Sequence, residues 1–454
     1  MGAQALRRRL LYIYWQMWYD GDIFSGKERV VMKEICVKPG VLSGTVSVPP
    51  SKSAAHRAII CASLAKGQSV IRPVALSEDM KATMYCMQQL GAQMTLCGDV
   101  LTVDGSQTLS NGSASLDCGE SGSTLRFLIP VAAAGGVETV FTGHGKLPER
   151  PIGVFTDCLP EKGVECQTQG GLPLKISGRL QSGVFEIPGN ISSQFITGLL
   201  LALPLTDGDS EIVLTSPAQS VGYIRMTLDI LRDFGISVEE TPTGWKIKGG
   251  QQYRPRRFTV EGDWSQAAFF MTAAALGGKI TIDNLNPDSQ QGDKACMELY
   301  ARFGARITRD DSGAVTIEHD RLRGTEIDAS DIPDLVPALA VTAALCEGKT
   351  VIRGAERLRI KECDRLAAMT DGLTRLGADV TETADGLIIN GKKTLAGGRV
   401  EGYNDHRIVM AFTVAAVGAD GDITITEPDS IRKSYPTFFE DHQRLGGHTN
   451  VIMG

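Results

Sequence analysis

No two of the ten cysteines are spaced as Cys-x-x-Cys. That excludes zinc ribbons and dithiol redox motifs, and scattered thiols in a long chain fit a reducing, cytoplasmic setting. The six histidines include no His-x-His and no His-Glu-x-x-His pair, so no metal site is expected. Long apolar runs are also missing. Phe195–Leu205 and Leu335–Cys346 are too short to cross a bilayer, and no membrane partner is expected. Basic charge is in deficit: 46 Lys and Arg against 53 Asp and Glu leave a net charge of −7. A nucleic-acid partner is thereby disfavoured, because phosphate contacts need a basic excess. Generic nucleotide motifs are absent as well. Glu347-Gly348-Lys349-Thr350 has Ala343 where a P-loop needs its first glycine, and no Gly-x-Gly-x-x-Gly opens a helix after a strand.

The 454 residues are 42% hydrophobic and 22% charged, enough for large cores and for two or three domains of roughly 150 residues. Residues 1–31 stand apart. Three arginines followed by Leu10–Tyr19 resemble a signal peptide, but Gln16 interrupts the apolar part and no small-residue cleavage site follows. Gly26-Lys27-Glu28 can be encoded by a purine-rich ribosome-binding sequence. We therefore expect natural translation from Met32, with residues 1–31 a disordered or loosely held leader.

From there a repeat organises the chain. An amphipathic helix ends in Gly, and an alternating strand, a turn and a second strand follow. The pivotal glycines are Gly91, Gly163, Gly235, Gly304, Gly377 and Gly446, spaced 72, 72, 69, 73 and 69 residues apart. Glycine suits the left-handed position that releases a helix into a strand. The sixth copy is expected to stop after its helix. Residues 33–50, two short strands around Pro39-Gly40, are its candidate hairpin. This arrangement predicts an α/β protein of two similar lobes. Residues 52–262 form one, and residues 33–51 plus 263–454 form the other. The chain crosses near Pro50-Ser51-Lys52 and Glu261-Gly262-Asp263, with a ligand cleft between the lobes.

Polar residues cluster where the pattern predicts helix starts. Lys52, Ser53 and Arg57 open one helix, with Ser51 or Ser53 as its cap. Gly122 lies in a small-residue turn that lets a ligand approach backbone N–H groups. Arg150 sits between prolines. Ser192, Ser193 and Gln194 enter a third helix, and Ser220 and Tyr223 precede a fourth. In the second half, Asp334 starts an apolar helix, where ordinary capping also explains it. Lys361, Glu362 and Arg365 belong to a dense charge run, His406 suits a plain cap, and Arg407 opposes a helix dipole. Lys433 precedes the last helix. A basic set within an acidic protein points to small ligands carrying several negative charges, with Asp334 and Glu362 as proton carriers.

The segments PPSKSAAHRA, GESGSTLRFL, PERPI, ISSQFITGLL, EGDWSQAAFF, QGD, IPD, RIKECDRL, YNDHRIVMAF and RKSYPTFF occur in this order. Together they resemble the 3-phosphoshikimate 1-carboxyvinyltransferase family, also called 5-enolpyruvylshikimate-3-phosphate synthase. The resemblance implies two lobes of three βαβαββ units each, an inside-out α/β barrel. It implies transfer of the enolpyruvyl group of phosphoenolpyruvate to the 5-hydroxyl of shikimate 3-phosphate, through a tetrahedral intermediate. No cofactor is implied. A monomer is expected, as is binding of the phosphoenolpyruvate mimic glyphosate.

By resemblance, Lys52, Ser53, Arg57, Ser192, Ser193, Gln194, Ser220, Tyr223, Asp334 and Lys361 meet shikimate 3-phosphate. Lys52, Gly122, Arg150, Gln194, Arg365, Arg407 and Lys433 meet phosphoenolpyruvate. Asp334, Glu362 and Lys52 move protons. Two positions depart from the family pattern: Arg357 stands where many relatives carry Asn, and Phe127 where others have Pro. The alternatives are a UDP-N-acetylglucosamine enolpyruvyl transferase, which normally carries a loop cysteine lacking between Gly122 and Arg150, and a non-catalytic anion-binding relative.

Overall fold

The structure, a computed structural model, describes residues 32–311 and 313–453. The expected leader lies outside the described residues. Among the described residues the strands form six four-stranded sheets. In one, Ser113–Asp117 runs parallel to Glu138–Thr142, which pairs antiparallel with Leu174–Gly178, and that strand pairs with Val164–Gln167. A parallel pair needs a crossover, and the helix Gly122–Gly135 supplies it. The short helix Gly153–Cys158 then leads to the hairpin. This is one strand–helix–strand–helix–hairpin unit; two other sheets repeat its chain order, and the remaining three keep its spatial order with one strand each, Arg257–Thr259, Leu42–Val46 or Met32–Lys38, drawn from a distant part of the chain.

Local chemistry accounts for the elements. The strands Gln68–Arg72 and Lys349–Arg353 bury alternate residues, as a strand against a core must. The helix Val221–Asp233 buries Ile224, Thr227, Leu228 and Leu231, one face at helical spacing. All six pivotal glycines have positive φ: Gly91 109°, Gly163 80°, Gly235 84°, Gly304 111°, Gly377 81° and Gly446 99°. At Gly198 a Cβ would overlap the Arg126 carbonyl, so glycine permits the helix Ser193–Ala202 to press on Gly122–Gly135.

Buried side chains gather in two hydrophobic cores. One runs from Ala54 to Val260; the other takes Ile35 to Val48 together with Trp264 to Leu445. Between them the chain crosses twice, and the two crossings lie side by side. Pro50 bridges Gly262 antiparallel; Ser51 N donates to Glu261 O at 2.7 Å, and Asp263 N to Pro49 O at 3.0 Å.

The ends of the chain are wired differently from the sequence expectation. The sixth unit continues past its helix into the strand His448–Met453. That strand pairs with Met32–Lys38, the first of the two N-terminal strands. The second, Leu42–Val46, runs parallel to Gly278–Ile282 in another sheet. The two N-terminal strands therefore complete two different units rather than forming one hairpin. Among the described residues, no helix is long and apolar enough to cross a membrane.

Candidate active site

Helix starts from both cores converge on one cavity of about 790 Å³, its open mouth included. Lys52, Ser53, Arg57, Gly122, Arg150, Ser192, Ser193, Gln194, Ser220 and Tyr223 line it from one side. Asp334, Lys361, Glu362, Arg365 and Arg407 line it from the other. Of the substrate-binding and proton-carrying residues named from sequence, only Lys433 is absent from the lining. Its ammonium is 2.9 Å from Glu120 Oε2 and donates to Asn404 O at 2.6 Å, which ties the two sides together beside the cavity.

The caps explain how the helix starts are aimed. Ser51 Oγ accepts from Ala54 N, Ser121 Oγ from Thr124 N and Ser192 Oγ from Gln194 N. Asp263 and Asp405 cap the helices Trp264–Gly277 and His406–Ala415. Two local readings fail here. Asp334 makes no cap bond, and His406 is not a cap because Asp405 is. Asp334 is instead surrounded by cations. Its Oδ1 accepts from Arg365 Nη1 at 2.9 Å and lies 3.5 Å from Lys361 Nζ; its Oδ2 accepts from Arg407 Nη2 at 3.1 Å. Burial opposes its charge, but Arg407, Lys361 and Arg365 outweigh that and hold the carboxyl well below the usual range.

Arg365 is the hub. It is 1% exposed and also donates to Glu362 Oε2 at 2.8 Å and to Asp405 Oδ2 at 2.7 Å. Glu362 faces Arg150 at 3.8 Å on its other oxygen. Burial raises its pKa, and Arg365 and Arg150 more than reverse this. Both expected proton carriers thus grip one guanidinium.

A second group of cations has no carboxylate partner among the described residues. Arg57 donates only to neutral oxygens, of Thr227, Ser53, Thr197 and Tyr223, and lies over the Phe127 ring. Burial lowers its pKa to about 10. Arg126, outside the lining, donates to Gln194 Oε1 at 2.7 Å and so turns the Gln194 amide, whose Nε2 donates to Ser123 Oγ. Arg357 donates to Ser220 Oγ at 2.9 Å and to the Ser330 carbonyl. Buried cations without counter-ions favour anionic ligands.

Sequence reasoning gave no site role to several lining residues: Asp79, Ser123, Asp263, Ser265 and His406. Asp79 meets Lys52 Nζ at 2.7 Å, yet in the sequence it is only an acid in the first turn of a helix. His406 is buried with both ring nitrogens unpartnered, and burial holds it well below its ordinary pKa. Among the described residues, no group of three His, Cys, Asp or Glu is placed to hold a metal ion.

The family model described as EPSP synthase (3-phosphoshikimate 1-carboxyvinyltransferase) matches residues 37–442. A 3-phosphoshikimate 1-carboxyvinyltransferase of Clostridium perfringens (strain 13 / Type A) is 46% identical over 419 residues, covering 92% of this chain and 99% of that protein. One from Clostridium acetobutylicum is 45% identical over 420 residues, covering 91% and 97%. The solved EPSP synthase of Acinetobacter baumannii superposes with a TM-score of 0.78 at 29% identity, over 93% of this chain and all of that one.

Proposed function

The chain belongs to the EPSP synthase family, and from that premise we propose how its cavity carries out the family's reaction. That reaction, transfer of the enolpyruvyl group of phosphoenolpyruvate to shikimate 3-phosphate, is a step of the shikimate pathway to aromatic amino acids.

The two cores serve as lobes, residues 52–262 and residues 33–51 plus 263–454, and they close on the substrates about the paired crossings. Lys52, Ser53, Arg57, Ser192, Ser193, Gln194, Ser220, Tyr223, Asp334 and Lys361 hold shikimate 3-phosphate. Arg57 supports this role, since it lacks a counter-ion and a substrate carboxylate supplies one. Lys52, Gly122, Arg150, Gln194 and Lys433 take the phosphate of phosphoenolpyruvate, and Arg365 and Arg407 take its carboxylate. The Lys433 ammonium, held by Glu120 and Asn404, keeps a third N–H for the phosphate.

The carrying observation is that Arg365 is shared by Asp334 and Glu362. A substrate carboxylate arriving at Arg365 and Arg407 draws those cations away from Asp334, and the same arrival loosens Glu362. Each carboxylate then gains proton affinity, because its lowered pKa is owed to those guanidiniums. Asp334 takes the 5-hydroxyl proton as the oxygen attacks C2 of phosphoenolpyruvate. Glu362, with Lys52, delivers the proton to the methylene carbon. The tetrahedral adduct then loses phosphate as a methyl proton returns to the Glu362 carboxylate. Closure keeps water from the cationic character at C2. The enzyme works as a cytoplasmic monomer, and glyphosate competes for the phosphoenolpyruvate seat.

Phosphate release is the test, with shikimate 3-phosphate plus phosphoenolpyruvate beside UDP-N-acetylglucosamine plus phosphoenolpyruvate, each with and without glyphosate. Turnover in the first pair alone, inhibited by glyphosate, is expected. Asp334→Ala and Glu362→Ala should each lose about 10²–10⁴-fold in kcat while remaining folded. A variant that keeps more than roughly a tenth of wild-type kcat overturns its assignment.

A further inference from the structure

Asp293 plays no part in the scheme above, and it is not among the cavity-lining residues. It lies in the short turn Gly292–Ala295 and is 3% exposed. Its Oδ2 accepts from the Tyr223 hydroxyl at 2.8 Å, and the same hydroxyl lies 3.3 Å from Asp334 Oδ2. Its Oδ1 is buried without a partner. One phenolic proton therefore sits between two carboxyl groups.

The approach is shaped from both sides. Gly222 precedes Tyr223 and Gly292 precedes Asp293, and a Cβ on Gly222 would lie 2.8 Å from Gly292 Cα and N. Only because residue 222 lacks a side chain does the Tyr223 helix come this near. The groups facing Asp293 are Tyr223, Asp334, Arg407, Asp263 and the Cys296 thiol. Burial, then the charge of Asp334, pushes the Asp293 pKa up to about 7. Asp334 has three cations, Arg407, Lys361 and Arg365, to keep it charged; Asp293 has the cation Arg407 and the Tyr223 hydrogen bond.

We propose that Asp293 is a positioning residue that takes up, through Tyr223 Oη, the proton Asp334 draws from the 5-hydroxyl. The proposal rests on Asp334 being the base. The O5–H bond breaks as Asp334 Oδ2–H forms, and the O5 electron pair goes to C2 of phosphoenolpyruvate. Asp334 Oδ2–H then breaks as a new Tyr223 Oη–H forms, while the old Oη–H breaks and Asp293 Oδ2–H forms. Tyr223 ends with one proton, Asp334 returns to its carboxylate state, and Asp293 becomes neutral. A neutral carboxyl is the less costly neighbour for Asp334, since two adjacent buried carboxylates repel. Tyr223 belongs to the lobe opposite Asp293 and Asp334. Opening the cleft breaks the path, and the proton leaves Asp293 for solvent.

The test is kcat at saturating substrates between pH 5.5 and 9, for wild type, Asp293→Asn, Tyr223→Phe and the double variant. Asn keeps an acceptor for the phenol but cannot take a proton. Wild-type kcat should fall as pH drops through about 7, because Asp293 protonated beforehand cannot accept. In Asp293→Asn that limb should vanish and kcat should drop about tenfold or more, with both KM values within about twofold. The Tyr223→Phe loss should be similar and the double variant no worse, as expected of one path. Additive losses, an effect on KM alone, or an unchanged kcat and limb in Asp293→Asn overturn the proposal. If Asp293→Asn does not fold, full kcat in Tyr223→Phe overturns it instead. Asp334→Asn is the control: if it stays active, the assignment of the base has failed, independently of the relay.

Discussion

Replacing Asp405 separates two roles that one side chain combines. It is fully buried; Arg365, 1% exposed, donates to it through Nε at 2.7 Å and Nη2 at 3.3 Å. The same carboxylate accepts Arg407 N at 2.8 Å and so caps the helix His406–Ala415. Removing one member of a buried ion pair costs about 3–5 kcal/mol. Arg365 keeps Asp334 and Glu362, which puts the expected cost near the lower end, about 3 kcal/mol. Losing the cap adds about 1 kcal/mol. Asp405→Ala should thus lose about 4 kcal/mol of stability. Asp405→Asn, which caps as well as Asp, should lose about 3 kcal/mol. Urea unfolding followed by tryptophan fluorescence measures both, since Trp264 is buried in the same core. Equal losses in the two variants would show that the cap contributes nothing. A loss below about 1 kcal/mol in Asp405→Ala would refute the view that Arg365 needs this anchor.

Gly222→Ala places a Cβ against backbone of the opposite lobe, which cannot rotate aside. It should lower kcat and raise both KM values about tenfold or more, with thermal stability nearly unchanged, because each lobe has its own core; unchanged kinetics would refute the close approach. Lys433→Met should raise the phosphoenolpyruvate KM about tenfold, the size of one charge-assisted contact, and leave the shikimate 3-phosphate KM alone; steady-state kinetics decide. Buried His442 has its pKa lowered to about 4, chiefly by burial, and burial also holds His56 well below 6.5. Unfolded histidines bind protons below about pH 6.5 while these two do not, so stability is full above pH 6.5 and falls as pH drops from there towards 4. Equal urea midpoints at pH 7 and pH 5 would contradict this.

The period of the fold was legible because each unit needs one residue with positive φ at a fixed place, and glycine marks it. Arg407 was legible because a cation at a helix start opposes the dipole and asks for a reason, and Lys52 because a basic helix start suits an anion. Residues whose local role was already satisfied stayed hidden. Asp79 stabilises a helix N-terminus, and Asp293 lies in a polar turn; only packing between distant segments brings them to Lys52 and Tyr223. At Asp334 the sequence left ordinary capping open beside the proton-carrier reading, and the structure contains no such cap. The last strand, His448–Met453, opens with polar residues and lacks a clear alternation, so the sixth unit looked unfinished.

The pairing of Met32–Lys38 with His448–Met453 sets an order on biosynthesis. Residues 52–262 can bury their core while the rest of the chain is still being made. Met32–Lys38 must wait for His448–Met453 to leave the ribosome before its second edge is covered, a loop closure of very high contact order. During that interval the part built from residues 33–51 and 263–453 exposes unpaired strand edges, which makes it the part most in need of a chaperone. Deleting His448–Met453 would leave that exposure permanent.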